Sequence, residues 1–310
     1  MTQFAFVFPG QGSQALGMLD VFAGNAAVRE TVAEASDLLD LDLAALIAAG
    51  PKEALDLTTN TQPVMLTAAV AFYRAWLAAG GAVPAVMAGH SLGEYSALVA
   101  AGVLTFRDAV PLVRFRAQAM QQAVPVGVGG MAAILGLSDD DVRAVCAEAG
   151  QGEVVEAVNY NAPAQVVIAG HMSAVDRACE LAKARGAKRA LLLSVSAPFH
   201  SSLLQPASVA LQGYLANVTF AVPRTPVVNN VDVGVEIDPE KIRDALVRQA
   251  ARPVRWVETV QAMSARGVTH VIECGPGKVL NGLTKRIDSD LIGDALTDPA
   301  AIVRIMETVK

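Results

Sequence analysis

The sequence predicts an α/β protein: a large domain on a mostly parallel sheet, with a small α+β domain inserted into it. Three observations carry this reading. Short apolar runs ending in glycine-containing turns alternate with stretches of helical periodicity. Between residues 126 and 196 the order changes to strand, helix, two strands, helix, strand, after which the first pattern resumes. The 310 residues are also long for a single core, so one large and one smaller domain are expected.

FAFVFPG (4–10) is a β-type run ending in Pro-Gly, and VRETVAEASDLLDLD after it has helical periodicity. TQPVMLTAAVAFYRAWLAAGG (61–81) predicts a helix with Pro63 in its first turn and Gly80–Gly81 at its end. VPAVMAG (83–89) reads as a buried parallel strand. LGEYSALVAAG (92–102) and TFRDAVPLVRFRAQAMQQAV (105–124) read as helices, the second with Thr105 and Asp108 at capping-box spacing.

MAAILGL then begins a different pattern. DDDVRAVCAEAG is a helix opened by acids, EVVEAVNY and AQVVIAG are strands around the turn NAP, SAVDRACELAKARG is a helix, and KRALLLSV a strand. This β-α-β-β-α-β order is the ferredoxin-like signature. It assigns residues 126–196 to the insert and residues 1–125 and 197–310 to the large domain. TPVVNNV (225–231) and VTHVIECGPG (268–277) return as strands. ASVALQGYLANV, DALVRQAARPVRWVETVQAMSARG and the tail after Gly277 are expected to be mainly helical.

A formal net charge of −6, from 24 basic and 30 acidic residues, argues against a nucleic-acid partner. MTQFAFVFPGQGSQ lacks a positive n-region and a small-residue cleavage site, and charged residues, Trp or Gly interrupt every apolar helix. No membrane span is therefore expected, and the cytoplasm is the expected compartment. Cys146, Cys179 and Cys274 are odd in number and lack short paired spacing, so reduced structural thiols are expected rather than a disulfide framework or metal site.

GHSLGE (89–94) sets Ser91 at G-x-S-x-G spacing between a predicted strand and a predicted helix. That context makes the serine a candidate nucleophile on a sharp turn, as in α/β-hydrolase-like domains. The Leu92 N–H, at the start of the helix, is unpaired and faces where an oxyanion would form. A serine hydroxyl needs a base. Of the four histidines, His90 adjoins the serine on a turn where neighbouring side chains diverge, so it is expected to pack or hydrogen-bond. His171 is expected at the surface and His270 in a strand. His200, in SAPFHSSLL, stands in a loop rejoining the two domains and is the candidate base; Ser201 or Ser202 is expected to cap the following helix. No aspartate stands in an obvious third position, Asp232 being a weak candidate, but a carbonyl accepting from Nδ1–H also fixes the tautomer.

PGQGSQ (9–14) lacks the lysine of a phosphate loop, yet follows a strand and so lies at the sheet's carboxyl edge, where Gln11 or Gln14 could donate to an oxyanion. Arg116 has Leu112, Val113 and Met120 one helical turn away, beside an apolar stripe. A partly buried guanidinium calls for an anion, and its fork matches a carboxylate.

With FVFPGQGSQ, GHSLGEYSAL, the following arginine, SAPFHS and ECGPGKVL in order, the chain resembles the malonyl-CoA:acyl carrier protein transacylases of bacterial type II fatty-acid synthesis along its whole length. The resemblance implies that Ser91 carries the acyl group, His200 is the base, and Gln11 with the Leu92 N–H forms the oxyanion hole. It also implies that Arg116 pairs with the malonyl carboxylate, that the Gln249 main-chain carbonyl orients His200, and that Asn161 lines the cleft. The reaction implied is ping-pong transfer from malonyl-CoA to the phosphopantetheine thiol of acyl carrier protein, with no metal or cofactor. Ala250–Arg252 departs from the family's usual run, while Phe199 before the histidine agrees with malonyl selectivity. An acidic carrier protein calls for a local basic patch on this acidic chain: Lys183, Arg185, Lys188 and Arg189, or Lys278, Lys285 and Arg286. A serine esterase or thioesterase and a non-catalytic carrier-docking module are the rival readings.

Overall fold

The computed structural model describes residues 3–310. Among the described residues nine strands form two sheets. The first is parallel throughout, with β1 (Phe4–Phe8), β2 (Val86–Gly89), β7 (Val227–Val228), β8 (His270–Glu273) and β9 (Ile292–Ala295) in the order β7-β2-β1-β8-β9. The second is antiparallel, with β3 (Gly129–Leu135), β4 (Val155–Ala162), β5 (Gln165–His171) and β6 (Arg189–Leu192) in the order β4-β5-β3-β6. Helices Asp139–Gly150 and Met172–Ala184 complete its β-α-β-β-α-β order. The predicted α/β class, with a parallel sheet and a separate ferredoxin-like unit, is the observed one.

Strands of the parallel sheet are buried on both faces, which is why they read as continuous apolar runs rather than alternating ones. On one face Phe4, Phe6 and Phe8 meet Trp76 and Tyr73 of helix Thr58–Ala78 and the apolar side of helix Phe106–Ala123. On the other, Ala5, Val7, Val86 and Ala88 pack with Trp256, Val260 and Leu280. Each fully buried Phe of β1 is worth roughly 1.5–3 kcal/mol. The antiparallel sheet is tied at β4 to the segment before helix Trp256–Ser264: the Tyr160 N–H donates to the Val254 carbonyl at 3.0 Å, and the Val254 N–H to the Val158 carbonyl at 2.8 Å.

The structure adds detail to several expected elements. The long helix begins at Thr58, so Pro63 lies inside it, in the second turn, where one missing N–H is tolerated. The stretch 244–267 is mainly helical, as expected, in two pieces: Pro239–Gln249 and Trp256–Ser264 are separated by an irregular segment containing Pro253. The tail is mainly helical, as expected, with Val279–Ile287 and Pro299–Thr308 on either side of IGDA, which forms the edge strand β9. The strand in TPVVNNV is only two residues long.

Candidate active site

β2 and helix Gly93–Ala100 are joined by the tight turn carrying Ser91, at the carboxyl end of the parallel sheet. The flanking glycines are required by close approach. A Cβ on Gly89 would lie 1.9 Å from the Gly93 carbonyl carbon, and one on Gly93 would lie 2.0 Å from the Phe8 carbonyl oxygen. The strain of the bend falls on the serine itself, whose φ of 52° is in the left-handed region. Side chains from distant segments hold it there. Asn230 Oδ1 accepts from the Ser91 N–H at 2.7 Å and Asn230 Nδ2 donates to the Gly89 carbonyl at 2.7 Å. Gln249 Nε2 donates to the Ser91 carbonyl at 3.0 Å.

Ser91 Oγ lies 2.6 Å from His200 Nε2. His200 is buried, also in a left-handed backbone conformation (φ 66°), and its Nδ1 lies 2.9 Å from the Gln249 main-chain carbonyl. A carbonyl only accepts, so Nδ1 carries the proton and Nε2 presents its lone pair to the serine. Burial and then the Arg116 charge push the imidazole down to about 3, with the Gln249 hydrogen bond opposing. Ser202, whose N–H donates to Glu156 Oε2 at 2.7 Å, ties the loop after His200 to β4. Neither serine caps the next helix: Ser201 Oγ donates instead to the Pro198 carbonyl at 2.7 Å, and helix Gln205–Leu215 has no side-chain cap. Asp232 does not take the third position, since the Gln249 carbonyl is the partner of His200 Nδ1. Asp232 makes a two-pronged ion pair with Arg248, at 2.8 and 2.7 Å.

Arg116 is 1% exposed and lies over the Tyr95 ring, 5.3 Å from its centroid. Its Nη1 donates to Gln62 Oε1 at 2.8 Å, and its Nη2 to Gln249 Oε1 at 3.0 Å and Ser91 Oγ at 3.1 Å. No carboxylate pairs with it among the described residues; every acceptor is neutral. Burial lowers its pKa from the ordinary value, with Tyr95 and Glu94 opposing.

Leu92 and Gln11 both border the ≈ 130 Å³ cavity above Ser91, and neither main-chain N–H donates to another group among the described residues. The Gln11 side chain points elsewhere, to Thr58 Oγ1 at 3.2 Å. Gln14, the other candidate in this loop, is engaged with Asp56 at 2.8 Å and with the Gly12 N–H at 2.7 Å. Met131, Asn159 and Val195 of the antiparallel unit close the cavity from the other side. The expected cleft residue Asn161 is not among those lining it. Its Oδ1 lies 2.8 Å from His90 Nε2, and Asn159, two residues earlier, faces the cavity instead, because β4 is irregular between Ala157 and Ala162. His90 packs on Trp256 with centroids 5.4 Å apart, the bonding and packing role expected of it. His171 is half-buried and accepts from the Val154 N–H at 3.0 Å, and His270 lies in β8.

Reading the chain alone did not find Asn230, the Gln249 side chain, Gln62 or Glu94 as parts of this site. Only Glu94 carried a signal, as the acid closing GHSLGE on a helix otherwise apolar.

A hydroxyl on a strained turn, an imidazole against it, two free main-chain donors and a buried guanidinium make an arrangement suited to acyl transfer. The chain belongs to the acyl transferases: the acyl transferase domain family matches residues 5–291. Within that family its relatives are malonyl CoA-acyl carrier protein transacylases. It is 57% identical over 308 residues to the malonyl CoA-acyl carrier protein transacylase of Escherichia coli K12, covering 99% of this chain and 100% of that one. The crystal structure of the acyl-carrier-protein S-malonyltransferase of Burkholderia pseudomallei 1710b is 68% identical, with a TM-score of 0.98 over 99% of this chain and 100% of that one. A malonyl-transacylase in complex with its type II PKS acyl-carrier protein is 51% identical, with a TM-score of 0.98 over 99% of this chain and 100% of that one.

Proposed function

We propose that the chain moves malonyl groups from malonyl-CoA to the phosphopantetheine thiol of acyl carrier protein through an ester on Ser91. The observation that carries this is the 2.6 Å contact between Ser91 Oγ and His200 Nε2 beside a buried Arg116 that lacks a carboxylate. A malonyl carboxylate supplies the anion that guanidinium lacks, and docking it there brings the thioester carbon to Ser91.

His200 Nε2 takes the serine proton as Oγ attacks the carbonyl carbon. The oxyanion is held by the Leu92 and Gln11 N–H groups and the positive end of helix Gly93–Ala100. The C–S bond then breaks, and the proton passes from His200 to the CoA sulfur. The carrier's thiol enters by the same route, gives its proton to His200, and attacks the ester carbon; the C–Oγ bond breaks and Ser91 recovers a proton. The Gln249 carbonyl keeps Nδ1–H oriented throughout, in place of a carboxylate. Because the Arg116 charge lowers the basicity of His200, pairing Arg116 with malonyl raises it when substrate is present.

These steps use only side chains and main-chain donors of this chain, so the reading calls for no cofactor. It treats residues 126–196 as the inserted unit that roofs the serine. A cytoplasmic setting agrees with three buried free thiols. For the carrier we favour Lys188, Arg189, Lys278 and Lys285, which lack an ion-pair partner among the described residues; Lys183 and Arg185 are already paired with Glu180 and Glu148.

Intact-protein mass spectrometry after brief exposure to malonyl-CoA tests the reading. One malonyl adduct per chain is expected, stable until holo carrier protein is added and absent in Ser91→Ala. Free malonate released as fast as CoA would make the chain a hydrolase, and undiminished CoA release by Ser91→Ala would remove the serine from the chemistry.

A further inference from the structure

Beneath the catalytic turn lies a carboxylate that the steps above do not use. Glu94 is 2% exposed, one helical turn after Ser91. A single oxygen, Oε2, accepts from Gln249 Nε2 at 2.8 Å and from the Asn230 main-chain N–H at 3.0 Å. These are the two residues that grip the Ser91 peptide, Asn230 by its N–H and Gln249 by its carbonyl. The other end of the Gln249 amide, Oε1, accepts from Arg116. One amide therefore spans from the Glu94 carboxylate to the Arg116 guanidinium, with the serine carbonyl bonded to its Nε2.

From this geometry we propose that Glu94 is the positioning residue of the site, its Oε2 holding Asn230 and Gln249 so that Ser91 keeps its left-handed turn and Arg116 its aim at the substrate carboxylate. The proposal rests on Ser91 and Arg116 having the roles given above. It explains why an acid is buried here at all. Without an acceptor at this point two donors would be stranded in a dry interior, and the amide between serine and arginine would be free to turn. The charge also matters. Hydrogen bonds to a carboxylate are about twice as strong as those to a neutral acceptor. Facing Glu94 are Arg116 from helix Phe106–Ala123, Asp232 and Glu236 from the segment after β7, Tyr95 on its own helix, and Gln249 and Asn230. Burial pushes the Glu94 carboxyl up to about 7, against the pull of Gln249, Asn230 and Arg116. His200, pushed down to about 3, stays neutral through that range and adds no titration of its own.

The test is the rate of Ser91 acylation by malonyl-CoA, read as intact mass in single turnover, for Glu94→Gln, Glu94→Leu, Gln249→Met and Glu94→Leu/Gln249→Met. Gln249→Met keeps the main-chain carbonyl that orients His200. Glu94→Leu is expected to acylate about 30- to 100-fold more slowly than wild type. The double variant should be no slower than the worse single one, because both cut the same chain of contacts. Glu94→Gln keeps an acceptor and should match wild type at pH 6. At pH 8 it should lag several-fold, wild type alone speeding up as Glu94 ionises through about 7. A folded Glu94→Leu acylating within about 3-fold of wild type overturns the proposal, as do losses that multiply in the double variant. Should Glu94→Leu fail to fold, parallel pH profiles for wild type and Glu94→Gln overturn it. A Ser91→Ala control that still gains malonyl mass would instead strike the underlying reading.

Discussion

The two sheets contribute to one cavity in different ways. On the side of the parallel sheet the groups near the reacting atoms are each held by at least one named bond: the half-buried Ser91 by Asn230 and Gln249, the buried His200 by a carbonyl, and the buried Arg116 by Gln62 and Gln249. The antiparallel sheet and the loop after it offer Met131, Asn159 and Val195 as walls, and the ion pairs around that sheet, such as Arg177–Glu153 and Lys183–Glu180, are partly or largely exposed. Its edge strand β6 leaves Leu191 and Leu192 half exposed. Acyl transfer needs groups fixed to within fractions of an ångström on the reacting side and only shape on the other. The contrast predicts large losses from changes on the parallel sheet and small ones from changes on its partner.

The largest loss is expected from His200→Ala. If His200 is the base of the proposed reaction, removing it should slow acylation by roughly 10³-fold, with the chain still folded by circular dichroism. A loss below tenfold would mean that another group takes the proton. Arg116→Ala comes next and sharpens the contrast by substrate. Acylation by malonyl-CoA should fall about 100-fold, and acylation by acetyl-CoA by no more than a few-fold, because acetyl has no carboxylate to lose. Equal losses for both would leave Arg116 a structural residue. On the antiparallel side, Asn159→Ala is expected to change acylation by less than about 5-fold. Asn159 Oδ1 is buried and bonded to nothing among the described residues, so truncation strands no partner. A loss comparable to that of Arg116→Ala would show that the wall does more than exclude water.

Legibility followed the range over which the information is encoded. The Ser91 turn was visible because strand, glycines, serine and helix are contiguous. Arg116 was visible because its apolar neighbours lie one turn away on the same helix. β1 and the β-α-β-β-α-β order were visible from apolar runs and their punctuation. The short edge strand β9 was not, since IGDA has one β-branched residue and gains its ladder only by lying beside β8. Nor was the network under the serine. Glu94, Asn230 and Gln249 are brought together from segments up to 155 residues apart, and no local periodicity marks an amide side chain as bridging two others. Asn161 and Asn159 were confused for a related reason. An irregular strand does not keep the strict alternation that would tell which of two nearby side chains faces inward.

The smallest expected effect concerns an acid on the parallel sheet that lies outside the catalytic cluster. Glu273, at the end of β8, is fully buried; its Oε2 accepts from the Asn281 N–H at 2.9 Å and its Oε1 has no partner among the described residues. Burial pushes its carboxyl up to about 7, against the helix N–H groups that favour the charged form. An acid whose pKa is higher in the folded than in the unfolded chain binds more protons when folded, so its contribution to stability falls as pH rises through that interval. Here the interval runs from the ordinary 4.5 to about 7. Glu273→Gln removes the titration, so its melting temperature should exceed that of wild type at pH 8 and converge with it below pH 5. A gap of ~2–6 °C corresponds to about 1–2 kcal/mol in a chain of this size. Acylation rates should be unchanged, since Glu273 touches none of the groups around Ser91. A Glu273→Gln chain that melts lower than wild type at pH 8 would show that the charged carboxylate is a net stabilising cap on helix Val279–Ile287, and that the helix N–H groups outweigh the cost of burial there.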